Sequence, residues 1–311
     1  MSSTWHQAVV DYVNMRRSLG FKLAKAMATL KNFAAFLEDN GASHITIALA
    51  LRWAQQNPAA RPVEWAQRLS LVRGFARHWS ANDSETEIPP WRLLPHRPSR
   101  ARPYIYSDDE VQRLLAAAQQ LPPAGGLRGS TYYSLFGLLS VTGLRISEAL
   151  NLQSKDVDLE KGILTIRGTK FGKSRLIPIH ASTNQVLSDY VSYRDHFLAG
   201  RPASHFFVST RGTRLDGGRI RHTFYDLSRQ TGLRGVSASH GPRIHDFRHR
   251  FALQTLVRWY RLDQDVECRL PILSTYLGHV HVADTYWYLT AYPELMSLAM
   301  KRLEKRWEGQ S

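Results

Sequence analysis

The residues of this 311-residue chain that could do chemistry lie in its last 170 or so positions, and most are cationic or aromatic. Arg145 stands in Thr142-Gly-Leu-Arg-Ile-Ser-Glu148, where a glycine turn ends one helix and starts another, and Glu148 offers it an ordinary surface partner. Lys170 and Lys173 sit in Gly168-Thr-Lys-Phe-Gly-Lys173, the expected turn of a hairpin. His245 and Arg248 are three apart at the start of a helix, so both project from its first turn toward the positive end of the helix dipole, where an anion binds readily. Arg243 and Arg250 thicken that charge. His279 follows a glycine break in Leu277-Gly-His279, and Thr285-Tyr-Trp-Tyr-Leu-Thr290 supplies Tyr286 and Tyr288, with Tyr292 just beyond. Guanidinium forks grip anions, histidine and lysine move protons, and a tyrosine hydroxyl can serve as a nucleophile. Taken singly, each residue also has a plain explanation: a surface arginine, a loop lysine, a core histidine, a packed aromatic ring.

The elements that must position these groups are mostly helical. Apolar residues recur at helical spacing through Trp5, Val9, Tyr12 and Val13 before Gly20, and through Leu23, Met27, Leu30 and Leu37 before Gly41. Two further helices are expected at Ile45–Gln56 and from Pro62 to about Ala81, making residues 1–85 an all-helical domain. The stretch 86–106 is rich in proline, which cannot continue a helix, and it carries Arg92, Arg97, Arg100 and Arg102 without an acidic residue between Pro89 and Pro103. It reads equally as a solvated linker and as a basic strap over a phosphate backbone. A second domain, 107–311, opens on Ser107-Asp-Asp-Glu110, a capping box in which serine and glutamate satisfy the first turn reciprocally. Helical patterns over 110–120 and 131–150 give way to Gly162-Ile-Leu-Thr-Ile-Arg167 and Ser174-Arg-Leu-Ile-Pro-Ile179, a β-hairpin by composition. His205-Phe-Phe-Val-Ser209 suggests a further strand, and helix is expected from Arg219 onward. The fold class is therefore mostly α with a small β-sheet.

Composition narrows the partners. Lysine and arginine number 41 against 26 acidic residues, a formal charge of +15 with a pI near 10.1, so the chain attracts polyanions. No apolar run approaches the ~20 residues that span a bilayer, so no membrane partner is expected. Met-Ser-Ser-Thr-Trp-His lacks the features of a signal peptide, which points to the cytoplasm and, for a DNA partner, the nucleoid. The single cysteine, Cys268, excludes an internal disulfide framework and a cysteine zinc site; it is expected as a small buried residue.

The order and spacing of Arg145, a hairpin-turn lysine, His245-Asp-Phe-Arg248, Leu277-Gly-His279 and a tyrosine nine residues further on resemble the tyrosine recombinase (phage integrase) family over about residues 107–292. The resemblance implies a helical core-binding domain and a mixed α/β catalytic domain that close on double-stranded DNA. It implies site-specific recombination, as in integration, excision or transposition of a mobile element, through a covalent 3′-phosphotyrosyl intermediate with neither metal nor cofactor. Matched residue by residue, Arg145 and Arg248 correspond to the arginines that clamp the scissile phosphate, Lys170 to the hairpin lysine, His245 and His279 to the two histidines, and Tyr288 to the nucleophile. Pairing the Arg-Leu-Ile-Pro run with the second strand selects Lys170 over Lys173, which remains a DNA contact. The stretch from Val257 to Pro271 separates Arg248 from His279 by more than the family pattern.

Those residue types suit the reaction. Attack on a phosphodiester roughly doubles the charge at phosphorus in the transition state, and two guanidiniums answer it with rigid, permanently charged forks while a histidine donates a further hydrogen bond. No acidic cluster for two metal ions is evident. A phenol of pKa near ~10 needs about 4 kcal/mol to ionise fully at neutral pH, so neighbouring cations and a basic His245 must ease the proton away, while Lys170 protonates the departing 5′ oxygen. Family members dock a C-terminal helix on a neighbouring protomer, and Met296, Ala299, Met300, Leu303 and Trp307 on one side of the last helix fit that use or packing in place. The expected assembly is a tetramer on DNA, formed by this chain alone or with companion recombinases. A type IB topoisomerase, which shares the chemistry without pairing two sites, and a catalytically silent DNA-binding protein are the rival readings.

Overall fold

The structure is a computed structural model that describes residues 5–308 apart from 22, 24–25, 95–102, 169–173 and 239. The chain divides into two compact units, Met1–Ala101 and Arg102–Ser311. The division falls inside the proline-rich stretch.

In the first unit, helices α1 (Trp5–Ser18), α2 (Ala26–Asp39), α3 (Ile47–Ala54) and α4 (Pro62–Trp79) enclose one core built on Trp5, Phe33, Trp53 and Phe75. The starts are encoded locally: Thr46 accepts a hydrogen bond from the Leu49 amide at the head of α3, and Pro62 occupies the first turn of α4, where its missing N–H costs nothing. Trp53, fully buried, still satisfies its indole N–H by donating to Asn32 Oδ1 at 3.0 Å. The start of the proline-rich stretch belongs to this unit. The Arg73 guanidinium donates to the carbonyls of Pro89 and Pro90 at 2.7 and 2.8 Å, and Leu93 and Leu94 pack on the core. Arg92 is exposed, whereas Arg97, Arg100 and Arg102 lie outside the described residues.

The second unit contains α5 (Asp108–Gln119), α6 (Leu127–Thr142), α7 (Ile146–Asn151), strands β1 (Val157–Asp158), β2 (Ile163–Ile166) and β3 (Arg175–Pro178), then α8 (Ala181–Leu198), α9 (Gly217–Gln230), α10 (Asp246–Arg261), α11 (Val266–Leu277), α12 (Ala283–Ala291) and α13 (Pro293–Glu308). The Ser107–Glu110 capping box is formed. The hairpin is present as β2 and β3, paired antiparallel with Leu164 opposite Ile177, and β1 adds a short third strand on the other side of β2. Leu164, Ile166 and Ile177 bury the inner face of the sheet.

Three expectations change. His205–Ser209 forms no strand: it makes only single bridges, Gln153 with His205 and Val208 with Arg214, because Phe206, Phe207 and Val208 are all buried and hold the segment by side-chain packing. The helix expected from Arg219 onward is interrupted between α9 and α10, where residues 232–238 and 240–245 run as turns and loop. Cys268 is exposed, since Val266, Leu270, Leu273 and Leu277 take the inward positions of α11 and Cys268 faces away. In α13 the inward residues are Leu295 and Leu298, while Met296, Met300, Leu303 and Trp307 are exposed.

Candidate active site

Two glycines set the backbone of the site. Gly143 ends α6 at φ +62° and Gly278 ends α11 at φ +68°, both left-handed C-caps that favour glycine. A side chain would also collide, since a Cβ would lie 2.7 Å from the Phe251 ring at Gly143 and 2.8 Å from Arg175 Nη1 at Gly278. These tight turns aim the last carbonyls of two helices at one place.

The arginines occupy those carbonyls. Arg248, 2% exposed, donates from Nη1 to the Gly143 carbonyl at 2.9 Å and from Nη2 to the Leu277 carbonyl at 2.7 Å. Arg145 donates from Nη2 to the Gly278 carbonyl at 3.0 Å and from Nη1 to Glu148 Oε1 at 2.9 Å. Arg175, from β3, spans the same region, donating from Nε to the Tyr276 carbonyl at 2.7 Å and from both Nη atoms to the two oxygens of Glu148 at 3.0 and 2.8 Å. Helix C-termini carry partial negative charge, which helps to hold the cations there before any anion arrives. Of these three guanidiniums, Arg145 and Arg175 pair with the Glu148 carboxylate, while Arg248 is held by carbonyls. Burial, and then the charge of Arg145, push the Arg248 pKa down to about 10.

Glu148 sits at the centre of this network. Burial works to raise its pKa, but the hydrogen bonds and charge of Arg175, followed by the backbone and charge of Arg145, outweigh burial and lower it. A buried pair loses about 3–5 kcal/mol when one partner is removed, and Glu148→Ala is expected to destabilise the unit by that amount. Because the folded-state pKa is depressed, this stabilisation is complete above the ordinary value of 4.5 and is lost as pH falls through the folded pKa. The difference in melting temperature between wild type and Glu148→Gln should therefore shrink as the pH drops through the carboxylate range, and a constant difference would count against this role.

The histidines and the tyrosine complete the cluster. His245 stands at the N-cap position of α10 without a side-chain capping bond; burial, and then the charge of Arg248, lower its pKa and so favour the neutral ring. His279 Nδ1 lies 2.7 Å from Thr285 Oγ1 on α12, which fixes the orientation of its ring. Tyr288 is buried at 4% exposure on α12, its ring stacked 6.5 Å from that of His279, and its hydroxyl lies 3.2 Å from His249 Nδ1. Tyr286, two positions away, is 51% exposed, and Tyr292 stands past the end of the helix as its C-cap.

The structure thus brings Arg145, His245, Arg248, His279 and Tyr288 together from the N-cap of α7, the N-cap and first turn of α10, the turn after α11, and α12. Lys170 and Lys173 lie outside the described residues, although β2 and β3 lead to their segment. Two contributors escape a reading of the sequence: Arg175, which stands inside the Arg-Leu-Ile-Pro run as an apparent strand residue, and His249. The available signal for His249 is its spacing of four from His245, which places both rings on one face of α10 with centroids 4.9 Å apart.

This arrangement is a cationic cluster with a buried tyrosine hydroxyl beside it, and comparison with known proteins gives it a family. The model of the phage integrase family matches residues 105–294. A Sinorhizobium fredii protein named as an integrase/recombinase, y4rB, is 59% identical over 99% of this chain and 100% of its own length. Tyrosine recombinase XerD of Caulobacter vibrioides is 28% identical over 91% of this chain and 90% of its own. Among solved structures, the Tn1549 transposon integrase in complex with transposon right end DNA shares the fold at a TM-score of 0.68 and 16% identity, covering 97% of this chain and 99% of that one. The XerH site-specific recombinase bound to palindromic difH substrate gives the same TM-score and identity over 98% of this chain and 86% of that one. The chain belongs to the phage integrase family. It is a tyrosine recombinase, an enzyme that recombines DNA site-specifically through a tyrosine.

Proposed function

We propose that Tyr288 is the nucleophile and that Arg145 and Arg248 clamp the scissile phosphate, with His279 as a further donor. The observation that carries this reading is the convergence of these side chains beside a buried tyrosine hydroxyl, around an excess of positive charge. The Tyr288 oxygen bonds to phosphorus as the bond to the 5′ oxygen breaks; the phenolic proton passes to His245, and Lys170 supplies one to the departing oxygen. The resulting phosphotyrosine conserves the bond energy, so a new 5′ hydroxyl can attack and religate without ATP.

Double-stranded DNA is the substrate, with Arg92, Arg97, Arg100 and Arg102 as a strap on its backbone and Lys173 as a further contact. The net charge of +15 supports this, as do relatives named as recombinases and a fold shared with DNA-bound integrases. The enzyme acts as a homo-oligomer, a tetramer at the synapse. The exposed apolar stripe of α13 supports that assembly, and one fold neighbour is a lambda integrase tetramer bound to a Holliday junction. It works in the cytoplasm on mobile-element DNA.

Trapping on a nicked suicide substrate in excess EDTA tests the reading, since arginine and histidine take the place of metal ions. A covalent protein–DNA adduct is expected with chelator present, and sequencing the junction locates the cut. Activity that vanishes on chelation and returns with magnesium overturns it. With sulfur at the bridging 5′ position, which leaves without protonation, Lys170→Ala should be rescued far more than Arg145→Ala; equal rescue removes Lys170 from its role.

A further inference from the structure

His249 has no part in the mechanism above, yet its ring touches the hydroxyl on which that mechanism turns. The residue follows Arg248 directly, in the first turn of α10, and is partly buried. Its Nδ1 lies 3.2 Å from the Tyr288 hydroxyl, and the ring is walled in by three aromatic neighbours: His245 at 4.9 Å, Trp287 at 5.5 Å and Tyr288 itself at 5.5 Å between centroids. Packing of this kind fixes the χ angles of the imidazole, so its nitrogen is a fixed point against which a phenol can be aligned.

From this contact we infer that His249 is a positioning residue for the nucleophile, accepting the Tyr288 O–H hydrogen bond at Nδ1 and thereby setting where the phenol oxygen stands and which way its lone pairs point.

The charge state of the ring follows from its surroundings. The groups that face His249 are cationic or can become so: His245, Arg243 and Arg248 from its own helix and the loop before it, and His279 from the turn after α11. Burial first, and then His245 and these neighbours, push its pKa down to about 3. The ring is therefore neutral, and in the tautomer that carries its proton on Nε2 it accepts at Nδ1. So weak a base does not retain the phenolic proton at neutral pH. A hydroxyl that donates to Nδ1 turns its lone pairs away from His249 and toward the remaining space around the oxygen, and reactions of this kind are sensitive to such placement because misalignment of about 1 Å costs roughly 100-fold.

This inference rests on the reading of Tyr288 as nucleophile, and the test separates the two. Single-turnover cleavage of a nicked suicide substrate, DNA affinity and melting temperature are measured for wild type, His249→Asn, His249→Gln, His249→Phe and Tyr288→Phe. The asparagine oxygen can take the place of Nδ1, whereas the glutamine oxygen reaches the Nε2 position and phenylalanine offers only bulk. His249→Asn should cleave within a few-fold of wild type, and His249→Gln and His249→Phe should be slower by roughly 10- to 100-fold with DNA affinity unchanged. Should His249→Phe not fold, the difference between asparagine and glutamine decides. Wild-type rates in all the His249 variants, or equal loss in asparagine and glutamine, overturn the inference. An adduct formed by Tyr288→Phe overturns the nucleophile itself, an outcome visible in its own lane.

Discussion

Tyr288→Phe should bind its DNA site, assemble on it and form no covalent adduct, with the cleavage rate down by about 10⁴ or more, as expected when a nucleophile is deleted. The substitution keeps the ring, so the stacking on His279 and the burial within the α10–α12 cluster survive, while the hydroxyl is lost and with it the contact with His249. The stability cost should be small, about 1 kcal/mol for the hydrogen bond with His249. Tyr286→Phe and Tyr292→Phe serve as controls from the same element, and both should retain adduct formation. Tyr286 points to another face of α12 and is half-exposed, and Tyr292 has left the helix at an extended backbone conformation. Mass spectrometry of the nuclease-trimmed adduct reads the answer directly, and a nucleotide on either neighbour would refute Tyr288 while leaving the reaction class standing.

Arg248→Met should separate function from stability. The folded state holds Arg248 at a pKa of about 10 against an ordinary 12.5, so the charged form is disfavoured there by roughly 3 kcal/mol. The sign matters: a cation whose pKa falls on folding weighs against the fold at every pH below the folded pKa, and the burden lifts only as pH rises through it. Methionine of similar length removes that burden but leaves the Gly143 and Leu277 carbonyls without their donor, at about 1–3 kcal/mol each. The two effects oppose, and the melting temperature should move by a few degrees at most. Cleavage should fall by about 10³ or more, since a donor to the developing charge is worth about 10²–10³ by itself and the fork supplies two. Arg248→Lys keeps the charge without the fork and should fall between the two. A variant that melts far below wild type, or one that still cleaves at the wild-type rate, contradicts this account.

What could be read in the chain before its fold was known divides by physical range. The helices of the first unit follow from apolar spacing and punctuation by Gly20, Gly41 and Pro62, all local signals, and the observed bounds agree to within a few residues. Strand composition announced β2 and β3 but overreached at His205–Ser209. Three successive apolar residues there satisfy a core without a ladder, and whether a partner strand lies alongside is a property of the whole fold. Cys268 was misplaced because composition ranks cysteine as buried, while the helix period that turns it outward is visible only once Val266 and Leu270 are assigned to the core. In the site, the residues with a distinctive chemical type and spacing were legible. Glu148 was legible as a partner for Arg145, but its second partner was not, since Arg175 lies 27 positions away and meets it only through the sheet. His249 was hidden by its neighbour, because beside Arg248 it reads as one more positive residue.

The carbonyl cage of the arginines also dictates an order of events in the life of each molecule. Arg248 ties residues 105 positions behind it and 29 ahead of it, and Arg145 reaches 133 positions forward to Gly278. Chains emerge from the ribosome N-terminus first and fold unit by unit. The arginines are therefore made long before the last turn of α11 that holds them, and the proposed nucleophile follows later still. A nascent chain halted anywhere short of Tyr276 lacks the carbonyls that hold Arg145 and Arg248, and with them the proposed clamp, as well as the proposed nucleophile. On the proposed reading, the capacity to cut DNA arrives only once α11 and α12 have both been made, so synthesis interrupted before them yields fragments without it.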